Sequence, residues 1–143
     1  MKNIYFGQCH CGQAKLTIKL PKPLLEYQSR ACDCDFCTSR NISYLSDPDS
    51  QIEIISDIPL LQSQQGSNQA TFLSCNQCHS VLAVALIEKD MSLGTINVNL
   101  IQTSEPLQAP VIVSPQRLSA SERKQRWKTL WGQLKLPCTV RSG

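Results

Sequence analysis

The chain has no apolar stretch long enough to cross a bilayer. Its longest apolar run is Val81 to Ile87, far short of the roughly 20 residues a membrane-spanning helix needs. Ahead of the first cysteine, Met1 to Gln8 contains Lys2 but no apolar core of a secretory leader. A cytoplasmic, reducing setting is therefore expected. Histidine is scarce. The two present, His10 and His79, have no serine or cysteine nucleophile pattern around them, which argues against a hydrolytic triad. Both flank cysteines and read as surface imidazoles or as neighbours of ligands. Cys138 stands too far from the end to form a prenylation box. Asn41-Ile42-Ser43 matches a glycosylation sequon, but in a reducing compartment it is a chance match.

What is abundant is cysteine, with eight in 143 residues. They stand at 9 and 11, then 32, 34 and 37, then 75 and 78, then 138. Cysteines one or two apart rarely bridge each other, because the backbone does not reach the separation and torsion a disulfide requires. Clusters of this kind in a reducing compartment indicate metal or redox chemistry. Zinc takes a near-tetrahedral shell of soft donors. Residues i and i+2 of an extended segment point to the same side, and a Cys-x-x-Cys turn also presents two thiolates together. Cys9, Cys11, Cys75 and Cys78 can form a closed four-sulfur site. Cys32, Cys34 and Cys37 then supply three ligands and leave a position open, as catalytic zinc sites do. A rival arrangement joins the triplet to Cys75 and Cys78, as in a zinc ribbon. Asp33 and Asp35 lie inside the triplet loop as water partners, extra ligands or turn caps. Cys138 is either a free thiol or a fourth ligand.

Four stretches carry a family resemblance: Gly7-Gln8-Cys9-His10-Cys11-Gly12, Cys32-Asp33-Cys34-Asp35-Phe36-Cys37, Cys75-Asn76-Gln77-Cys78-His79-Ser80-Val81-Leu82, and Leu93-Gly94-Thr95. In this order and spacing the chain resembles the GFA family, named for glutathione-dependent formaldehyde-activating enzyme and including centromere protein V. The resemblance implies a mainly β, Mss4-like fold of several coiled β-sheets. It implies two zinc ions per chain: a structural one on Cys9, Cys11, Cys75 and Cys78, and a second, catalytic one on Cys32, Cys34 and Cys37. It also implies carbon–sulfur lyase chemistry on adducts of an aldehyde with a small thiol such as glutathione. The chain departs from the family pattern at Asp33, Thr38, His79 and Ile96-Asn97-Val98. The alternative is a non-catalytic zinc-stabilised β module that binds a protein or nucleic-acid partner. A thiol redox sensor is a third reading.

Hydrophobic residues make up 41% of the chain, enough for a packed core and consistent with a single domain over 1–143. Ala14, Leu16, Ile18 and Leu20 alternate with polar residues, predicting a half-buried strand that Pro21 stops. Further strands are expected over 27–31, 51–56, 70–75, 80–88, 94–101 and 111–113, with a turn over 64–69. The net charge of +3 is uneven: residues 117–143 carry seven basic residues against Glu122 alone. Ser119-x-x-Glu122 is a capping box. Trp127, Leu130, Trp131 and Leu134 fall at helical spacing, predicting a helix near 120–135 that Pro137 ends. Its apolar stripe is expected to pack on the domain or on a second copy of the chain, rather than on nucleic acid or a membrane.

Overall fold

The computed structural model describes residues 3–32, 38, 42–64, 70–88, 91–103, 108–113 and 119–136. It is mainly β, with one helix near the C-terminus among these residues. The strands are β1 (Asn3–Gln8), β2 (Ala14–Leu20), β3 (Arg30–Cys32), β4 (Tyr44–Leu45), β5 (Gln51–Ser56), β6 (Leu61–Gln64), β7 (Thr71–Ser74), β8 (Val81–Glu88), β9 (Met91–Asn97), β10 (Ile101–Gln102), β11 (Val111–Val113) and β12 (Gly132–Lys135). Helix α1 spans Ala120–Leu130. No helix among the described residues is long and apolar enough to cross a membrane.

The sheet runs in the order β10-β1-β2-β5-β12-β9-β4-β3-β11, and β8, β7 and β6 branch from β9. Most neighbours are antiparallel. β12 lies parallel to β5, and β11 parallel to β3. The alternation read in β2 holds: Ala14, Leu16, Ile18 and Leu20 are buried, while Lys15 and Lys19 are exposed. Those inward residues join Ile52 and Ile54 of β5 and Leu73, Leu82 and Ile96 in one core cluster. A second cluster gathers Ile42, Tyr44, Phe72, Val81, Val84, Leu86 and Trp131, with Trp127 and Leu130 of α1 packed on it. β8 is therefore buried on both faces, as its unbroken apolar run predicts.

The C-terminal segment departs from the expected helix over 120–135. The capping box forms as predicted, with Ser119 Oγ accepting from the Glu122 amide and Glu122 accepting from the Ser119 amide. But α1 ends at Leu130, and Gly132–Lys135 forms a strand inserted between β5 and β9. Long-range pairing overrides local spacing here. Trp131 stacks on Trp127 at 4.9 Å between centroids, and Leu134 is buried from a strand rather than from a helix face. Gly132 is required at the entry: a Cβ there would lie 1.9 Å from Ser50 Oγ and 2.7 Å from the Asp47 carbonyl oxygen.

Other boundaries shift for similar reasons. The strand expected over 27–31 begins at Arg30, where pairing with β11 and β4 begins. The one expected over 94–101 starts earlier, at Met91, and is interrupted by a 3-10 turn at Val98–Leu100. The turn expected over 64–69 lies, apart from Gln64, outside the described residues.

Candidate metal centre

Two tight turns build the site. The first joins β1 to β2. Cys9 N donates to Ala14 O at 3.0 Å, and Gly12 N returns to Cys9 O at 3.0 Å. The turn needs a left-handed residue, and Gly12 supplies it at φ 81°. The second turn joins β7 to β8. Cys75 N donates to Ser80 O at 3.0 Å, and His79 N donates to Cys75 O at 2.9 Å. Here the left-handed position is filled by His79 at φ 64°, so the sequence accepts strain where a glycine would carry none. A register shift between Leu73 and Ser74 kinks β7 just before Cys75, the usual effect of a bulge that re-aims a side chain.

These turns bring four sulfurs together. The Sγ atoms of Cys9, Cys11, Cys75 and Cys78 all lie within 4.8 Å of one another. Cys9 and Cys11 are 3.5 Å apart, and Cys11 and Cys75 3.6 Å. A tetrahedral ion with metal–sulfur bonds of about 2.3 Å needs sulfurs about 3.8 Å apart, so the cluster fits a metal with little adjustment. Cys9 and Cys75 are buried in the core, Cys78 is half-buried and Cys11 exposed. The cluster thus ties residues 64 positions apart in the chain, Cys11 and Cys75.

The surroundings favour thiolate. Ala14 N points at Cys9 Sγ at 3.3 Å and Gln77 N at Cys75 Sγ at 3.4 Å. Burial alone would raise the Cys78 pKa. The Ser80 hydroxyl at 3.1 Å, the Ser80 and Cys11 amides and the Cys11 thiol outweigh it and hold Cys78 down at about 5. Cys9 is also lowered: burial opposes the change, but the Ala14 amide and the Cys11 and Cys75 thiols prevail. Cys11 is pushed up to about 12: the Gln13 amide opposes this, but desolvation and the three neighbouring sulfurs win. Without a metal, Cys11 therefore keeps its proton at a pH where Cys78 has lost its own. A divalent cation would discharge all four thiols.

Four thiolates suit soft or borderline metals, and a filled four-sulfur shell offers no place for a substrate atom. The sequence-predicted set Cys9, Cys11, Cys75 and Cys78 is therefore brought together as one site that could hold a metal ion. Among the described residues, Cys75 and Cys78 turn toward the first pair rather than into a zinc ribbon with the triplet. Cys32 ends β3 by its backbone. Its side chain, along with Asp33, Cys34, Asp35, Cys37 and Cys138, lies outside the described residues.

No family model matches the chain. No curated protein matches it either. A crystal structure of a Rhodobacter sphaeroides protein, a structural-genomics target, is similar, with a TM-score of 0.55 at 22% identity. The match covers 76% of this chain and 99% of that one. At that identity the likeness is one of fold.

Sequence reading missed the part played by Ser80. Its hydroxyl sits 3.1 Å from Cys78 Sγ and accepts from the His10 amide at 3.4 Å, linking the two turns. The available signal was a hydroxyl residue two positions past Cys78. His10 and His79 both belong to the turns through their backbone, and neither offers a ring nitrogen to the four-sulfur cluster.

Proposed function

We propose that the chain is a zinc protein of the GFA type. In this reading Cys9, Cys11, Cys75 and Cys78 hold a structural zinc, and Cys32, Cys34 and Cys37 hold a second one at which a small thiol reacts. One observation carries the reading: the first and last cysteine pairs close on each other at tetrahedral spacing. That accounts for four thiols in a shell with no vacancy and leaves the triplet as a separate set of three. Three thiolate ligands would leave a zinc ion one open position and the capacity to stabilise a bound thiolate at neutral pH. Of these three, Cys32 ends β3 by its backbone. The reaction class is carbon–sulfur bond formation and its reverse: a thiol and an aldehyde give an S-hydroxyalkyl adduct, with the thiol proton passing to the carbonyl oxygen. Glutathione and formaldehyde are the pair the resemblance suggests.

The test is zinc content and turnover of the same preparations. Wild type should carry two zinc ions, and Cys34→Ser one, with its fold retained and its adduct-forming activity lost. Cys75→Ser should lose the fold. A single zinc unaffected by Cys34→Ser, or no acceleration of adduct formation or breakdown by zinc-loaded wild type, would refute the lyase reading.

A second reading, a zinc-stabilised module that presents a surface to a protein partner, draws on exposed apolar side chains. Phe6 is 59% exposed and Ile112 77%. A nucleic-acid partner is less favoured, because Lys124 and Lys128 of α1 are both engaged by Glu88.

A further inference from the structure

Helix α1 covers part of one sheet face and leaves the rest in water. Leu93 of β9 stands opposite Leu86 of β8 on one side and Gln133 of β12 on the other. Directly opposed residues share a face, and so do residues two apart in a strand. Glu88, two beyond Leu86, pairs with Lys124 and Lys128 of α1, so α1 lies on the Leu93 and Gln133 face. Beyond β12, toward β1, that face is exposed. Its residues follow from the register. One row runs Phe6, Thr17, Glu53 and Lys135 across β1, β2, β5 and β12. The next runs Ile4, Lys19, Gln51 and Gln133, and a third Gln8, Lys15 and Ile55. Phe6 is 59% exposed, Ile55 53% and Ile4 48%. Large apolar side chains grouped on a wet face mark an interaction site.

Charge, size and shape decide what fits there. The face carries Lys15, Lys19 and Lys135 against Glu53 alone. Lys135 lies 3.6 Å from Glu53, while Lys15 and Lys19 stand opposite Ile55 and Gln51. A second copy of the chain seated on this face would set lysines against lysines. Four strands about 4.8 Å apart, with rows spaced along them at about 3.3 Å per residue, give an area on the order of 300 Å². A standard complex of folded proteins buries about 800 Å² on each partner. The area therefore suits a short segment rather than a folded surface. Over β5 the face sinks into a groove of about 340 Å³, lined by Thr17, Lys19, Gln51, Glu53, Gln133 and Lys135. The amides of Gln51 and Gln133 both donate and accept, which matches the N–H and C=O groups of an extended backbone. A phosphate-rich partner, nucleic acid or lipid, would meet the Glu53 carboxylate in the same groove and would leave Ile4 and Ile55 without apolar contacts of their own.

We propose that the exposed face of β1, β2, β5 and β12 binds a short, extended, acidic peptide segment of a partner protein. Its carboxylates meet Lys15, Lys19 and Lys135, its apolar side chains cover Ile4, Phe6 and Ile55, and its backbone follows the groove past Gln51 and Gln133. The proposal rests on the second reading above, in which the module presents a surface to a protein partner, and it gives that partner's chemistry. It needs no metal at the triplet.

The experiment titrates metal-loaded, full-length, isotope-labelled protein with a peptide of about 12 residues alternating glutamate and leucine, following the backbone amide resonances. Shifts should gather on β1, β2, β5 and β12 and saturate with a dissociation constant below about 1 mM. Added salt should weaken binding, because exposed charges are screened. The same peptide with glutamine for glutamate should bind about tenfold more weakly or worse. Phe6→Ser alters an exposed side chain, so it should keep the fold and weaken binding several-fold. Lys19→Glu combined with Lys135→Glu should weaken it by about tenfold or more. No saturation by the acidic peptide at about 1 mM would overturn the proposal. So would unchanged affinity in both the Phe6 and the double lysine variants. Shifts on this face from a thymidine oligonucleotide or from phosphatidylserine-containing vesicles, with none from the peptide, would overturn it in favour of that partner. Peptide shifts confined to β11 around Ile112 would overturn this face but keep the partner reading. Silence at both places with acidic, neutral and basic peptides alike would overturn the partner reading as well.

Discussion

Replacing Ser80 with alanine tests the metal centre without removing a ligand. The hydroxyl lies 3.1 Å from Cys78 Sγ and accepts from the His10 amide at 3.4 Å, so its loss loosens both turns at once. Groups that hydrogen-bond to metal ligands typically contribute about 10–100-fold in affinity. Ser80 reaches only one sulfur, and the Ser80 amide still supports Cys78 after the change, so the lower end applies. Zinc affinity should fall about tenfold, or roughly 1.4 kcal/mol. The Cys78 thiol of metal-free protein should also titrate above its present value of about 5, since the hydroxyl bond opposes the effect of burial. Competition for zinc against a chromophoric chelator at neutral pH measures the first effect, and thiolate absorbance against pH the second. Ser80→Thr should behave as wild type. An alanine variant that binds zinc within a factor of two of wild type would show that the hydroxyl does not organise the site, and the reasoning would fail.

Gly132→Ala should be strongly destabilising. The new methyl would sit 2.7 Å from the Asp47 carbonyl and 2.8 Å from that of Ser50, backbone atoms that cannot rotate away. Overpacking of this kind costs about 1–3 kcal/mol or more, read as a lower urea midpoint. His79→Gly should be neutral or stabilising by up to about 1 kcal/mol, because glycine accepts φ 64° without strain. A β-branched valine there should instead cost about 1–2 kcal/mol in the same assay. Metal-free protein should be most stable near pH 9. Cys78 loses its proton at about 5 when folded against an ordinary 9.0, so the unfolded chain binds more protons in that window and stability rises with pH. Cys11, pushed from 9.0 to about 12, reverses the sign above pH 9, because the folded chain then holds the extra proton. Denaturation midpoints across pH 4–12 check this, and a decline from pH 5 to 9 would contradict it.

The strands most legible in the sequence are those with one wet face. β2 and β5 alternate because Leu16, Ile18, Ile52 and Ile54 face the core and their neighbours face solvent. β1 escaped notice because its pattern is inverted: Ile4 and Phe6 are the exposed residues, while Tyr5 and Gly7 point inward. Periodicity cannot tell which phase is buried. At the C-terminus, spacing of three and four among Trp127, Leu130, Trp131 and Leu134 fits a helix, and nothing local reports that β5 and β9 leave a gap for Gly132–Lys135. For the metal centre, paired cysteines made the ligands legible, since short spacing presents two sulfurs together. The hydrogen bond from Arg30 to Ser46 was not legible. It depends on the pairing of β3 with β4, which no single segment encodes.

The place of β12 has a consequence for synthesis on the ribosome. Among the described residues, β12 is the strand that pairs with β5 on one side and β9 on the other, so this part of the sheet is complete only once residues 132–135 have emerged. All four cysteines of the cluster are made well before that. Metal capture by Cys9, Cys11, Cys75 and Cys78 can clasp the two halves while the central slot is still empty, holding open the place that the final strand enters like a keystone.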